Sequence, residues 1–152
     1  MMFKAILLLV VVAAVSANTR VNLRACPGGH RLPEWFESTQ CTAARCTLTR
    51  GQIFSGRAHF IPHRQFFLLT VTVEATAFGI PIDMPIPQGY ESACEFLEAG
   101  ASCPVTLGGL YTWALQFPIE NFLPALANII IRLSAGDDSE RAACAEIDGA
   151  IV

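Results

Sequence analysis

The sequence predicts an all-β fold in which several short strands form a sandwich or a barrel. Nine prolines and eleven glycines interrupt the chain at short intervals. β-Branched and aromatic residues fill the segments between these breaks, as in strands. In several segments apolar and polar residues alternate, which is the pattern of a strand with one buried face. Helix signals are weak, and only Ser92 to Ala99 is compatible with a short helix.

The first two strand segments lie in the first half of the chain. Cys46 to Phe60 is broken at Gly51, and beyond the break one face carries Phe54, Gly56, Ala58 and Phe60. The next segment alternates most clearly, and its apolar face carries Leu69, Val71, Val73, Ala75 and Ala77. The stretch from Gly79 to Pro87 then contains three prolines, which lack the N–H donor that a central strand needs. We expect this stretch to lie outside the middle of a sheet.

Three further strands are predicted in the second half. Tyr111 to Phe117 alternates and is stopped by Pro118, and Leu126 to Ala135 forms another strand before a turn at Gly136. The last strand has one face made of Ala145, Ile147, Gly149 and Ile151.

Composition and charge exclude two classes of protein. Charged residues make up 15% of the chain and hydrophobic residues 53%, so the bulk of the chain is not disordered. The net charge is −3 and there is no basic cluster, so we expect no nucleic-acid partner. Residues 1–17 read as a secretory signal peptide with a charged start at Lys4 and an apolar run too short for a membrane span. Residues 18–152 are then expected to form a single domain.

Six cysteines behind a signal peptide predict an oxidising compartment and three disulfides. Fifteen pairings are open, although Cys41 is near enough to Cys46, and Cys94 to Cys103, to close short loops. No C-x-x-C motif occurs, and Pro62 between His59 and His63 argues against a helical metal-binding pair. We therefore expect no metal and no cofactor.

Two apolar segments are bounded by prolines, Ile80 to Pro87 and Pro118 to Pro124. Exposing their apolar side chains in loops would be costly, so they either plug one end of the core or rim an apolar cavity. No G-x-S-x-G, H-E-x-x-H or P-loop motif occurs, which favours binding over catalysis. Asp83, a lone acid among these apolar residues, is expected to be a solvated loop residue.

An ordered set of motifs extends over nearly the whole chain. It comprises Cys26-Pro27, Cys41-x4-Cys46, Leu48-x-Arg50-Gly51-Gln52, Gly79-Ile-Pro-Ile-Asp-Met-Pro-Ile-Pro87, Cys94, Cys103-Pro104, Tyr111-x5-Phe117-Pro118-Ile119 and Cys144-Ala-Glu-Ile147. This set resembles the Niemann–Pick type C2 family of secreted ML-domain (MD-2-related lipid-recognition) proteins, in which arthropod members and the group 2 mite allergens share the pattern. The resemblance implies an immunoglobulin-like β-sandwich of about seven strands in two sheets, with an apolar cavity between them. It also implies the disulfides Cys26–Cys144, Cys41–Cys46 and Cys94–Cys103.

The resemblance further implies a ligand site for a sterol or a fatty acid. By position, the portal residues are Met84, Ile119 and Leu123, with Phe122 and Pro124 beside them. The expected cavity lining is Phe60, Val71, Val73, Trp113, Phe117, Ile131 and Ile147. Met84 and Leu123 replace aromatic residues of the sterol-binding members, which leaves a smaller or more flexible lipid open as the ligand. The alternative for the lining residues is an ordinary core, because the same faces would be buried without a ligand.

The leading hypothesis is therefore a secreted, extracellular and non-enzymatic carrier of an apolar lipid. The chain has no Asn-x-Ser/Thr sequon, unlike members that reach lysosomes by a sugar tag. We expect a monomer that passes its cargo to a membrane or a receptor. The alternative is an interaction protein that presents a lipid, or its own surface, to a receptor in chemosensing or innate immunity.

Overall fold

The computed structural model describes residues 17–152, so the predicted signal peptide lies outside the described residues except for Ala17. The described chain is built from strands. One turn of 3-10 helix, Ala93–Phe96, lies within the segment Ser92 to Ala99 that the sequence made compatible with a short helix. The strands are β1 Thr19–Arg20, β2 Arg24–Ala25, β3 Trp35–Ser38, β4 Cys46–Leu48, β5 Ile53–Phe60, β6 Thr70–Ala77, β7 Ile80–Ile82, β8 Tyr111–Pro118, β9 Leu126–Gly136 and β10 Arg141–Ile151.

These strands form two sheets, which confirms the all-β prediction. One sheet has four strands in the order β1-β3-β5-β8, and each neighbouring pair is antiparallel. The other has six strands: β2-β10-β9-β6-β7 are antiparallel, and the short β4 runs parallel to β10 beside β2. The two sheets bury their apolar faces against each other, as the alternating patterns require.

The predicted faces of the long strands are confirmed. β5 and β8 pair over their whole length, from Ile53 opposite Pro118 to Phe60 opposite Tyr111. Their alternate residues are buried, and so are those of β6. The residues that alternate with them on β6 point outward, because side chains of consecutive strand residues leave opposite faces of the sheet.

The described chain divides the expected sandwich of about seven strands into ten, because four of these strands have only two or three residues. β1 and β2 have two residues each, which is too short to show a period of two, and β10 begins at Arg141, four residues before the predicted last strand. The proline-rich stretch after Gly79 contributes only the edge strand β7, in which exposed Pro81 pairs with Thr76. This position agrees with the exclusion of proline from the middle of a sheet.

The three disulfides that the resemblance implies are present. Cys26–Cys144 joins the residue after β2 to β10, while the other two bonds, Cys41–Cys46 and Cys94–Cys103, close short loops. None of the cysteines in the described chain is free. No helix within residues 17–152 is long and apolar enough to cross a membrane.

Candidate functional site

The space between the two sheets is apolar. Its largest fully buried side chains include Phe36, Phe54 and Phe60. Among residues 17–152, the buried polar or charged residues are only Ser38 and Ser134, and the hydroxyl of Ser38 donates a hydrogen bond to the carbonyl oxygen of Ser55 at 2.7 Å. No charged side chain of the described chain is therefore buried, so a charged group that entered this space would have no partner of opposite charge.

A small void lies between the sheets. It is lined by Pro33, Phe36, Ala58, Trp113, Leu115, Leu133, Ala143, Ala145 and Ile147, and its volume is about 10 Å³. That volume is close to what one water molecule needs. The facing side chains are thus almost in contact, and a lipid can enter only if side chains repack or the sheets move apart.

The predicted lining residues divide into two groups in this structure. Trp113 and Ile147 line the void. The others are buried in the same core without bordering it: Phe60, Val71, Val73, Phe117 and Ile131. The sequence reasoning placed Ala58 and Ala145 on inward faces but named neither of them, nor Ala143, as a lining residue. A period of two identifies the inward face but not the residues that leave space there.

The predicted portal residues also divide. Met84, Ile119 and Leu123 are 8%, 1% and 3% exposed and pack in the main hydrophobic cluster, whereas Phe122 is 70% exposed and Pro124 is exposed as well. Backbone hydrogen bonds to the Arg50–Gln52 turn hold Ile119 in place: Gly51 N–H donates to its carbonyl at 2.7 Å, and its own N–H donates to the carbonyl of Gln52 at 2.8 Å. The loop after β8 therefore places one apolar side chain in solvent beside two that are buried.

Met84 also borders an open groove of about 480 Å³ beside the edge strand β7. Ile82 contributes an apolar wall, outward-facing Glu74, Arg132 and Glu146 contribute charged walls, and exposed Asp83 lies at its border as a surface residue. A second open groove of about 510 Å³, near Arg45 and Phe78, contains none of the predicted site residues. The first groove therefore lies on the outer face of the six-stranded sheet, and Met84 is the predicted portal residue that borders it.

Several charged groups of the described chain form ion pairs on the outer faces of the sheets. Arg132 lies between Glu146 at 2.7 Å and Glu74 at 3.0 Å beside the Met84 groove, and its hydrogen bond to Glu146 raises the pKa of Arg132. On the four-stranded sheet, Arg57 donates to Glu98 at 2.6 Å, which raises the pKa of Arg57 and lowers that of Glu98. Within the described residues no group of three or more His, Cys, Asp or Glu side chains could hold a metal ion.

The fold and the site define a small disulfide-linked β-sandwich with an apolar, charge-free interior. The family model of the ML domain matches residues 20–151, and the chain belongs to the ML-domain family. This family consists of lipid-binding proteins without enzymatic activity, which confirms the resemblance and the expectation that the chain is not an enzyme.

Three similar proteins and one solved structure agree with this assignment. The NPC intracellular cholesterol transporter 2 of Bos taurus is 25% identical over 107 residues, which cover 70% of this chain and 68% of the relative. The protein of the same name from Mus musculus is 25% identical over 135 residues, covering 89% and 86%. The mite group 2 allergen Lep d 2 of Lepidoglyphus destructor is 29% identical over 126 residues, covering 82% and 79%. The crystal structure of a Niemann-Pick type C2 protein from Japanese carpenter ant has the same fold, with a TM-score of 0.63, 14% identity and coverage of 89% of this chain and 92% of the ant chain.

Proposed function

We propose that this chain is a secreted, monomeric carrier that holds a fatty acid, a sterol or a similar apolar lipid between its two sheets. The observation that carries this proposal is the interior of the sandwich, where the described chain buries no charged side chain. Such an interior can enclose the hydrocarbon part of a lipid but not a charged headgroup, which would remain at the surface.

Apolar burial would supply the binding free energy. Each Å² of lipid and wall surface removed from water is worth roughly 25 cal/mol, from which the cost of immobilising the ligand is subtracted. Because the void holds only about 10 Å³, part of this gain must also offset the repacking of the core. A flexible acyl chain can follow a path that opens side chain by side chain, whereas a rigid sterol needs the sheets to separate at once.

The sterol alternative is supported by the relatives and not by a separate feature of the site. The bovine and murine relatives carry the name of cholesterol transporters, and each is 25% identical to this chain. Met84 stands where the resemblance implies an aromatic residue, and methionine fits ligands of varied shape. The relatives keep a sterol as a candidate, whereas Met84 favours a more flexible ligand, so we place a fatty acid first and a sterol second.

Secretion is supported by the sequence and by the disulfides. Residues 1–17 have the charged start, the apolar run and the small-residue cleavage motif Val15-Ser16-Ala17 that are typical of a signal peptide. All six cysteines are paired, which is typical of proteins that fold in an oxidising compartment.

Mass spectrometry of lipids extracted from the natively secreted protein tests the proposal. We expect one lipid class at about one molecule per protein, and saturable binding of a fluorescent fatty acid by the delipidated protein. A delipidated protein that keeps its β-sheet circular dichroism but binds neither fatty acid nor cholesterol would overturn the proposal. Hydrolysis of lipid esters by the same preparation would contradict a carrier without enzymatic activity.

The second candidate function is an interaction protein that presents a lipid, or its own surface, to a receptor. The observation that favours it is a group of exposed apolar side chains in two neighbouring loops: Phe67, Leu68, Leu107 and Leu110, which are 64% to 70% exposed. The backbones of Phe66 and Val105 join these loops through two hydrogen bonds of 3.0 Å. Saturable receptor binding by the empty protein would favour this function, whereas dependence on a bound lipid would favour presentation of the cargo.

A further inference from the structure

The void between the sheets lies far from the loop after β8, the part of the predicted portal that carries Ile119, Phe122, Leu123 and Pro124. On β8 it is bordered by Trp113 and Leu115, in the first half and the middle of the strand, while Ile119 follows its end. A strand rises about 3.3 Å per residue, so the six residues from Trp113 to Ile119 span roughly 20 Å. The void is therefore an inner chamber and not the mouth of the site.

An aromatic pair separates the chamber from the portal. Phe117 is the next inward-facing residue after Leu115, and Phe54 is its partner on β5. The two rings are tilted by 44° with centroids 5.3 Å apart, and both side chains are at most 2% exposed. A chain that reaches the chamber from the portal must displace these rings.

The chamber exists because alanines face each other across the sandwich. Ala58 projects from the four-stranded sheet, and Ala143 and Ala145 project from β10 of the six-stranded sheet. The three alanines are 5%, 3% and 3% exposed, so contact with solvent does not explain why these residues are small. Larger apolar side chains at these positions would fill the void, as phenylalanine, leucine and isoleucine fill the rest of the core.

The chamber has a fixed end wall. Pro33 and Phe36 line it, and the segment that carries Pro33 is tied to both sheets. The carbonyl of Arg31 accepts a hydrogen bond from Cys144 N–H at 2.9 Å, and Glu34 N–H donates to the carbonyl of His59 at 2.8 Å. Cys144 is itself held by its disulfide, so this segment is a wall and not a second opening.

We propose that Ala58, Ala143 and Ala145 form the inner end of the lipid site and set the longest acyl chain that the protein accepts. This inference rests on the proposed function and adds to it the length of the acyl chain that the site accepts. The bound acyl chain runs from the portal past Phe54 and Phe117 and ends against the three alanines. The span of roughly 20 Å matches an extended long-chain fatty acid such as palmitate or stearate.

The test compares the affinities of laurate, myristate, palmitate and stearate, measured by competition with a fluorescent fatty acid. In the wild type we expect affinity to rise with chain length up to palmitate or stearate. Ala143→Val and Ala145→Val shorten the chamber, so stearate should lose about tenfold in affinity while laurate changes by less than about twofold.

Ala75→Val is the matched control, because Ala75 is 1% exposed on the inner face of β6 but does not line the void. Its ratio of stearate to laurate affinity should equal that of the wild type.

A second variant tests the opposite direction and does not depend on overpacking. Leu133→Ala enlarges the chamber from β9 and should shift the preference toward longer chains. Folded variants with the wild-type ratio of stearate to laurate affinity would overturn the inference and leave the proposed function standing. A wild type that binds cholesterol but no fatty acid would also overturn it, while a folded wild type that binds neither lipid would reject the proposed function itself.

Discussion

The ring of Phe36 on β3 lies directly against Gly56 on β5. A Cβ atom added at Gly56 would stand 2.5 Å from Cζ of Phe36, closer than side chains approach in folded proteins. Phe36 is opposite Ala58, so its ring leans along the neighbouring strand over the glycine. Phe36 also lines the void, so the absence of a side chain at Gly56 allows the ring to lie beside the void in this position.

We expect Gly56→Ala to lower the free energy of unfolding by about 1–3 kcal/mol, the usual cost of overpacking a core. The higher strand propensity of alanine offsets only about 0.5–1 kcal/mol of this cost. Urea denaturation measures the change, and a double-mutant cycle with Phe36→Leu isolates the clash, because removing the ring should reduce the cost of Gly56→Ala. Equal costs in both backgrounds would show that the clash is not the cause.

The disulfides should contribute unequally to stability. Cys26–Cys144 links residues 118 apart, whereas Cys94–Cys103 links residues only 9 apart. In the chain-entropy model, removing the long link by paired Cys→Ala substitutions costs about 5 kcal/mol, and removing the short link costs about 3 kcal/mol. Thermal or urea unfolding of the two double variants gives the comparison. The reverse order would mean that native-state packing around Cys94 outweighs the effect on the unfolded chain.

The long strands could be predicted from the sequence because each repeats its period of two several times. Leu69, Val71 and Val73 specify the face of β6 without reference to any other strand. β1 and β2 could not be predicted, since two residues carry no period and their strand geometry comes from pairing with β3 and β10. Trp35 and Phe36 lie on a four-residue strand whose pairing with β5 likewise depends on the tertiary fold.

The site was less predictable than the fold. Trp113 and Ile147 could be placed on inward faces, but whether an inward residue borders a void depends on the volume of the side chain that faces it from the other sheet. That facing residue is distant in sequence, as Ala58 is from Ala143. In the loop after β8, consecutive residues have opposite surroundings, and no pattern indicates that Phe122 is exposed while Leu123 is buried.

Acid should destabilise the protein through the turn between β9 and β10. Arg64 donates hydrogen bonds to Asp137 at 2.7 and 2.9 Å and to Glu140 at 3.0 Å, and it lowers the pKa of both carboxyl groups below their usual range. A carboxyl group with a lower pKa in the folded state stabilises the fold above its unfolded pKa of about 4, and this contribution is lost as the pH falls through the folded value.

Arg64→Gln should therefore flatten the acid side of the stability profile. Between about pH 6 and pH 2 the urea midpoint of the wild type should fall more than that of the variant. The difference should be modest and should shrink in high salt, because these groups are partly exposed. Arg31→Gln removes the same charge from an exposed arginine outside this cluster. Its stability should depend on pH as that of the wild type does. Parallel profiles for Arg64→Gln and the wild type would contradict the role of Arg64.

The predicted portal is best tested at Phe122. Ile119 is 1% exposed, so a charge placed there would be buried without a partner and would unfold the domain, whereas Phe122 is 70% exposed and tolerates substitution. We expect Phe122→Asp to weaken fatty-acid binding by about 3–10-fold, which corresponds to roughly 1 kcal/mol of lost apolar contact, with an unchanged unfolding midpoint. Phe67→Asp is the matched control, because Phe67 is 69% exposed at the other end of the sandwich. Phe67 precedes β6, whose start pairs with the end of β9, whereas the loop that carries Phe122 precedes the start of β9. Equal losses in the two variants, measured by titration with a fluorescent fatty acid, would reject the portal at the loop after β8.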